Sequence, residues 1–227
     1  MLRKLLYFWR ILIFLALAGF SPTTLAQNLN KHEWAKGKIV LTTGETLFGP
    51  LSYYYNKEII QVKGTDGFIR TFSPVNVAYF QGFNEQKQIF QTFKPFLYSP
   101  NPDVPAFQTP TFFEVVTEGK YTLVKRTAFV IRNLDPIPRY TSLGRYYEPY
   151  SSTETARAGN NYQIAQLHSY YLLTPQNQII SLRHPKKDLE DLYEDKAAPM
   201  KAYIRGKKLS YKNPVALTHV VQYFNHL

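Results

Sequence analysis

The sequence predicts a mostly β, α+β fold, and three observations carry that expectation. Apolar residues alternate between turn residues from Gly37 to Phe83, hairpin signals recur around Glu118-Gly119-Lys120 and Pro175, and beyond Leu182 the apolar spacing becomes helical. The expected layout is a small N-terminal β unit, a second antiparallel sheet of hairpins, and three short C-terminal helices.

Residues 1–26 read as an export signal, because Arg3 and Lys4 precede the apolar run LLYFWRILIFLALAGF and Thr24-Leu25-Ala26 presents small residues at the cleavage positions. Cleavage is expected between Ala26 and Gln27, with an uncleaved membrane anchor as the competing reading, since the run approaches the ~20 residues that cross a bilayer. Removing Arg3, Lys4 and Arg10 from 27 Lys plus Arg leaves 24 against 16 acids. An exported basic protein meets anionic lipid, acidic polysaccharide or an acidic protein before it meets nucleic acid. The expected location is periplasmic, outer-membrane-associated or secreted. The chain has no cysteine, so it has no thiol nucleophile, no thiolate metal site and no disulfide framework.

The first unit spans residues 27–94. Gln27 to Ala35 is expected as a loose lead-in with Trp34 tucked onto the first strand. That strand runs from Lys36, with Ile39 and Leu41 on one face and Lys38 and Val40 on the other, to a turn at Thr43-Gly44. The second, from Glu45 to Tyr54, should kink at Gly49-Pro50 at a sheet edge or corner, because proline cannot donate to a ladder. Asn56-Lys57 and Thr65-Asp66-Gly67 turn the chain into strands Glu58–Lys63 and Phe68–Phe72. Ser73–Asn76 suits a single tight turn before Val77–Phe83. Five short strands, a bend in the second and a one-turn connector before the fifth predict an SH3-like or Sm-like small barrel.

The second β region covers residues 95–182. A strand at Gln88–Phe93 leads into it, and the prolines at 95, 100, 102, 105 and 110 predict an irregular crossing from Lys94 to Pro110. Phe112–Thr117 and Tyr121–Ile131 form a hairpin, residues 132–161 a long mobile loop rich in proline and arginine, and Ile164–Leu173 with Gln178–Leu182 a second hairpin.

In the C-terminal end, residues 183–227, Pro185, Pro199 and Pro214 mark helix starts, Asn213 is a good cap and Gly206 a good stop. The apolar sets Leu189, Leu192, Tyr193; Met200, Tyr203, Ile204; and Leu217, Val220, Val221, Phe224 each form a stripe that must pack on something. The segments KKDLEDLYED (186–195), MKAYIRGKKLSYKN (200–213) and HVVQYFN (219–225), behind a leader and a GxIxLxxG opening at Gly37–Gly44, resemble a family of uncharacterised secreted proteins from Gram-negative bacteria. The resemblance implies a compartment and an architecture, and no activity.

Catalytic motifs are missing. There is no HExxH, no G-x-S-x-G or S-x-x-K, and no phosphate-binding glycine loop. His219 and His226 lie seven apart, two helical turns rather than one, and His168 sits in a strand as an ordinary structural histidine would. Glu114 and Glu118 share strand parity but stand ~13 Å apart, too far for most glycoside hydrolysis. No catalytic residue, metal ligand or cofactor is assigned.

Two surfaces remain as binding candidates. Tyr53-Tyr54-Tyr55 must send at least one ring outward, where it could stack on a sugar or a protein. Lys196 to Lys212 holds Lys201, Arg205, Lys207 and Lys208 among six cations and no acid, which would suit a helix lying on an anionic surface. The alternative is a solvated face balanced by Asp188, Glu190, Asp191, Glu194 and Asp195 upstream. The sequence therefore points to an exported, non-catalytic binding or scaffold protein of the bacterial cell envelope, with an envelope protein or glycan as partner. The alternatives are an envelope hydrolase with fold-assembled carboxylates and peripheral attachment to an anionic membrane through the C-terminal helices.

Overall fold

The computed structural model describes residues 31–99, 107–133 and 162–227. The expected export signal and residues 134–161 of the expected loop lie outside them. The strands are β1 (Lys31–Leu41), β2 (Thr46–Tyr54), β3 (Ile59–Lys63), β4 (Ile69–Phe72), β5 (Val77–Asn84), β6 (Ile89–Tyr98), β7 (Thr109–Thr117), β8 (Thr122–Asn133), β9 (Tyr162–Leu173) and β10 (Ile179–Ser181). They form a single antiparallel sheet in the order β10-β9-β8-β7-β6-β5-β1-β2-β3-β4. The separate second sheet is therefore corrected: β6 pairs with β5 on one side and β7 on the other, so the ladder runs unbroken through residues 94 and 95.

Several local expectations shift with it. Trp34 lies inside β1 rather than on a loose lead-in, because β1 pairs with β2 from Lys31 onward. The irregularity expected at Gly49-Pro50 is shared with β1: Gly49 takes φ 151°, and beside it the β1 register slips between Trp34 and Gly37. Pro50 sits opposite that bulge, so an interior strand tolerates it. β6 runs on to Tyr98 through Pro95, which lies beyond the last β5 pair, Phe80 with Phe93, where the strand has one neighbour and a missing donor is tolerated. The turn at Ser73–Asn76 is present, closed by the Asn76 N–H donating to the Ser73 carbonyl.

No ladder joins β4 to β5 among the described residues, so strand pairing does not close the first five strands into a barrel. The sheet is instead drawn round by its corners. β7 and β8 pair only from Glu114 to Thr117, whereas β8 pairs with β9 along its whole length, so the two strands splay apart beyond Lys125. Into that split comes the 3-10 turn Tyr55–Lys57 between β2 and β3. Tyr55 packs on Phe129 at 5.5 Å, and Glu58, held in the left-handed region at φ 49°, points its carboxylate at β7 and β8. Glu58 Oε2 accepts from the Phe112 N–H at 3.0 Å and the Tyr53 hydroxyl at 3.1 Å, and Oε1 from Arg126 Nη2 at 3.1 Å. The curl encloses Trp34, Ile39, Leu51, Tyr53, Ile60, Phe80, Phe93 and Phe112. Phe80 and Phe93 stack at 4.6 Å, and Phe112 meets Phe80 edge-on at 5.1 Å, the offset and T-shaped geometries that aromatic quadrupoles favour.

A second core lies where the helices cover β7 to β10. The helices are α1 (Pro185–Tyr193), α2 (Ala197–Gly206) and α3 (Pro214–His226). The three separate helices expected resolve into two helical stretches, because only a 3-10 turn at Glu194–Lys196, entered through a bend at Glu194 (φ 44°), separates α1 from α2. Pro199 accordingly stands inside α2's first turn rather than opening a helix. The apolar stripes, Leu189 and Tyr193, Met200, and Leu217, Val220, Val221 and Phe224, meet Leu123 and Leu172 of the sheet. Asn213 caps α3 as expected, its Oδ1 accepting from the N–H groups of Val215 and Ala216.

Between the two cores a polar row crosses the sheet. Lys125 Nζ contacts Glu114 Oε2 at 2.6 Å, and Gln91 Nε2 donates to Glu114 Oε1 at 3.1 Å. Gln91 Oε1 in turn accepts from Trp34 Nε1 and Asn84 Nδ2, both at 3.2 Å. Trp34 lies directly on Gly82, where a Cβ would come within 2.2 Å of the indole. His32 packs against the same indole in a tilted arrangement at 4.3 Å; burial lowers its pKa, with Glu114 partly opposing.

Two consequences are measurable. Glu58→Ala should lower the unfolding free energy by about 2 kcal/mol, since it strands a half-buried guanidinium and frees a β7 donor. Denaturant unfolding reads this, and a loss below about 0.5 kcal/mol would show that the corner is held by something else. His32 binds its proton less tightly folded than unfolded, so acid favours unfolding: stability should fall as pH drops below the ordinary value of 6.5. His32→Gln should flatten the drop in melting temperature between about pH 7 and pH 5, and an unchanged slope would refute the assignment.

Candidate anion-binding groove

The C-terminal helices turn their apolar stripes inward, and this leaves their cations to line a groove of about 1310 Å³. Lys201 and Arg205 stand at i and i+4 on one face of α2, Lys208 lies just past the helix end, and all three line the groove. Lys207 falls off that face and does not. Across from them stand Arg183, which follows β10, and Lys186 and Lys187 in the first turn of α1, with Lys212 at the end of the connecting turn. Among the described residues the only carboxylate in the lining is Glu190.

Of the five acids expected to balance this charge, only Glu190 lines the groove among the described residues. Asp188 is used locally, its Oδ2 accepting from the His184 N–H at 2.7 Å to hold the start of α1. Among the described residues none of the groove's cations takes part in an ion pair. Lys186 and Lys187 also occupy a helix N-terminus, where the macrodipole disfavours positive charge. The groove thus holds an excess of cations over its one described carboxylate, two of them at positions that helix stability alone disfavours.

Lys208 carries the same tension in its backbone. α2 ends at Gly206 as expected, but the left-handed residue that reverses the chain is Lys208, at φ 52°. The Lys208 N–H donates to the Arg205 carbonyl and the Leu209 N–H to the Ile204 carbonyl, so the helix end is satisfied in the manner of a Schellman turn. Glycine is the unstrained residue there, and a lysine in its place adds a charge to the groove at a backbone cost.

The tyrosine run offers no comparable surface. Tyr53 and Tyr55 are buried, 2% and 9% exposed, and burial raises the pKa of both hydroxyls, with Glu58 adding to the rise at Tyr53. Tyr54 does turn outward, but Lys31 and Lys57 sit over its ring at 5.8 and 5.9 Å. Alternation along β2 made the direction of Tyr54 legible; that β2's end would be tucked into the β7–β8 split was not. Sequence spacing also found Lys201, Arg205 and Lys208, and it missed Arg183, Lys186 and Lys187, which join them only when α1 and α2 fold against each other.

Glu114 and Glu118 part company, because the β7 register shifts between Val115 and Thr117. Glu118 pairs with Lys94 at 2.7 Å, and both Glu114 oxygens are engaged by Lys125 and Gln91. Among the described residues no three His, Asp or Glu side chains gather as metal ligands, and no helix is long and apolar enough to cross a membrane. No protein-family model, curated protein or solved structure matches the chain.

Replacing Lys208 by glycine should relieve its left-handed backbone and raise stability by about 0.5–1 kcal/mol while removing one groove charge. Thermal or denaturant melts test it, and a destabilised Lys208→Gly protein would mean that the side chain packs rather than serves the groove.

Proposed function

We propose that this chain is an exported, non-catalytic binding protein of the bacterial cell envelope, and that its basic groove holds an anionic partner. The observation that carries this reading is the convergence of Arg183, Lys186, Lys187, Lys201, Arg205, Lys208 and Lys212 around one concave surface with a single carboxylate, Glu190. An anion entering there replaces mutual repulsion by attraction in a site with few competing acids. Export is supported by the basic, apolar and small-residue pattern of residues 1–26 and by the resemblance to uncharacterised secreted proteins. The order β5-β1-β2-β3-β4 and the enclosed aromatic core support an SH3-like platform for the first five strands, closed by the Glu58 corner rather than by a ladder.

The other two readings have less support. A hydrolase would need an available carboxylate, and Glu114 and Glu118 are each engaged by a lysine. Membrane insertion by α2 would need its apolar stripe outside, yet Met200 is fully buried and Tyr203 stacks on Tyr223 at 3.9 Å. Attachment to lipid would rest on charge alone.

The triple variant Lys201→Glu, Arg205→Glu, Lys208→Glu should lose at least about tenfold in affinity for inorganic tripolyphosphate at 0.1 M salt, and the wild-type affinity should fall steeply as salt rises. Isothermal titration reads both. Equal affinities for the two proteins would remove the groove from consideration.

A further inference from the structure

The basic groove does not end at its own rim. A second cleft, of about 1040 Å³, adjoins it, and Arg183, Pro185, Tyr211 and Lys212 line both. The two differ in chemistry. Past the shared residues the cations give way to Gln108, Ser169, Asn177, Gln178 and Ser181 and to His168, whose pKa burial lowers, beside the partly buried rings of Tyr170 and Tyr211. Among the described residues no carboxylate lines this cleft.

We infer that the two compartments take one extended ligand, an acidic polysaccharide, with its charged groups along the basic groove and an uncharged sugar in the adjoining cleft. This rests on the groove being an anion site and names the class of anion. A sugar ring presents hydroxyls around its rim and a weakly apolar face, and amide, hydroxyl and tyrosine groups match both. A bare phosphate polymer would gain nothing from the uncharged cleft. A bilayer would meet a concave channel whose neighbouring helix has turned its apolar side into the core, so it could engage only the rim charges.

The cleft can be altered without touching the cations. Ser181 is exposed at its wall, and Ser181→Trp would fill it; Gln178 is exposed, and its recorded hydrogen bonds use the backbone, so Gln178→Ala changes only what the cleft presents. Affinity of the full chain and both variants is measured for a hyaluronan hexasaccharide, in which charged and neutral sugars alternate, for inorganic tripolyphosphate, and for phosphatidylglycerol vesicles. The wild type should bind the hexasaccharide about tenfold more tightly than tripolyphosphate. Ser181→Trp should weaken hexasaccharide binding about tenfold and Gln178→Ala about threefold, both leaving tripolyphosphate within about twofold. Equal affinity for the two solution probes, or cleft variants without effect on the hexasaccharide, overturns the glycan assignment and leaves the anion groove standing. If neither solution probe binds, both conclusions fall, and vesicle binding in their absence assigns the surface to lipid. Matching melts for Gln178→Ala and wild type keep the comparison valid should Ser181→Trp fail to fold.

Discussion

The carboxylate of Glu58 joins parts of the sheet that are far apart in strand order. It sits at the corner between β2 and β3, and its partners are Tyr53 beside it, the β7 backbone at Phe112 and the Arg126 side chain on β8. A ten-stranded open sheet twists and would leave a long apolar face in water. Closing β2 and β3 onto β7 and β8 buries that face, and it requires a polar group at the seam, because β7 and β8 have parted there and Phe112 would otherwise keep an unmatched donor. Burial works against the Arg126 charge, but Glu58 beside it holds the guanidinium pKa above its ordinary value. The residue that turns the corner thus also locks it.

The same seam explains why the aromatic content is so high. Curling one sheet leaves an interior bounded by strands alone, and wide planar side chains fill it where aliphatic ones would leave gaps. Trp34, Tyr53, Phe80, Phe93 and Phe112 occupy that interior, and Gly82 is there because an indole covers it. The polar row Gln91, Glu114 and Lys125 divides this core from the helical one with each member satisfied, so the boundary carries no orphaned charge.

The helical end follows from what it must cover. β8, β9 and β10 present Leu123, Leu172 and Ile180, and the helices bring three apolar stripes to them. Once those stripes face inward, the remaining positions of α1 and α2 face each other across a groove, and their lysines and arginines face with them. The arrangement places strain at Lys208 and repulsion around the groove on an element whose stability comes from its core, and this is where a binding surface can be built without loosening the fold.

The sequence by itself determined the local events. Pro185 and Pro214 act through their own backbone and Asn213 through its side-chain cap, the turns at Gly44, Gly67 and Asn177 through left-handed φ, and Lys201 and Arg205 share a face through helical period alone. Tertiary structure decided what depends on residues remote in the chain: that the strands join one sheet, that β6 passes through Pro95 because β5 has ended, and that Tyr53 and Tyr55 are buried. It also brought Arg183, Lys186 and Lys187 to face α2, and left the Glu58 carboxylate as the fastening of the curl. Period and capping act over a few residues, whereas which neighbour a strand has, and which charge an acid neutralises, are settled only when the whole sheet has coiled.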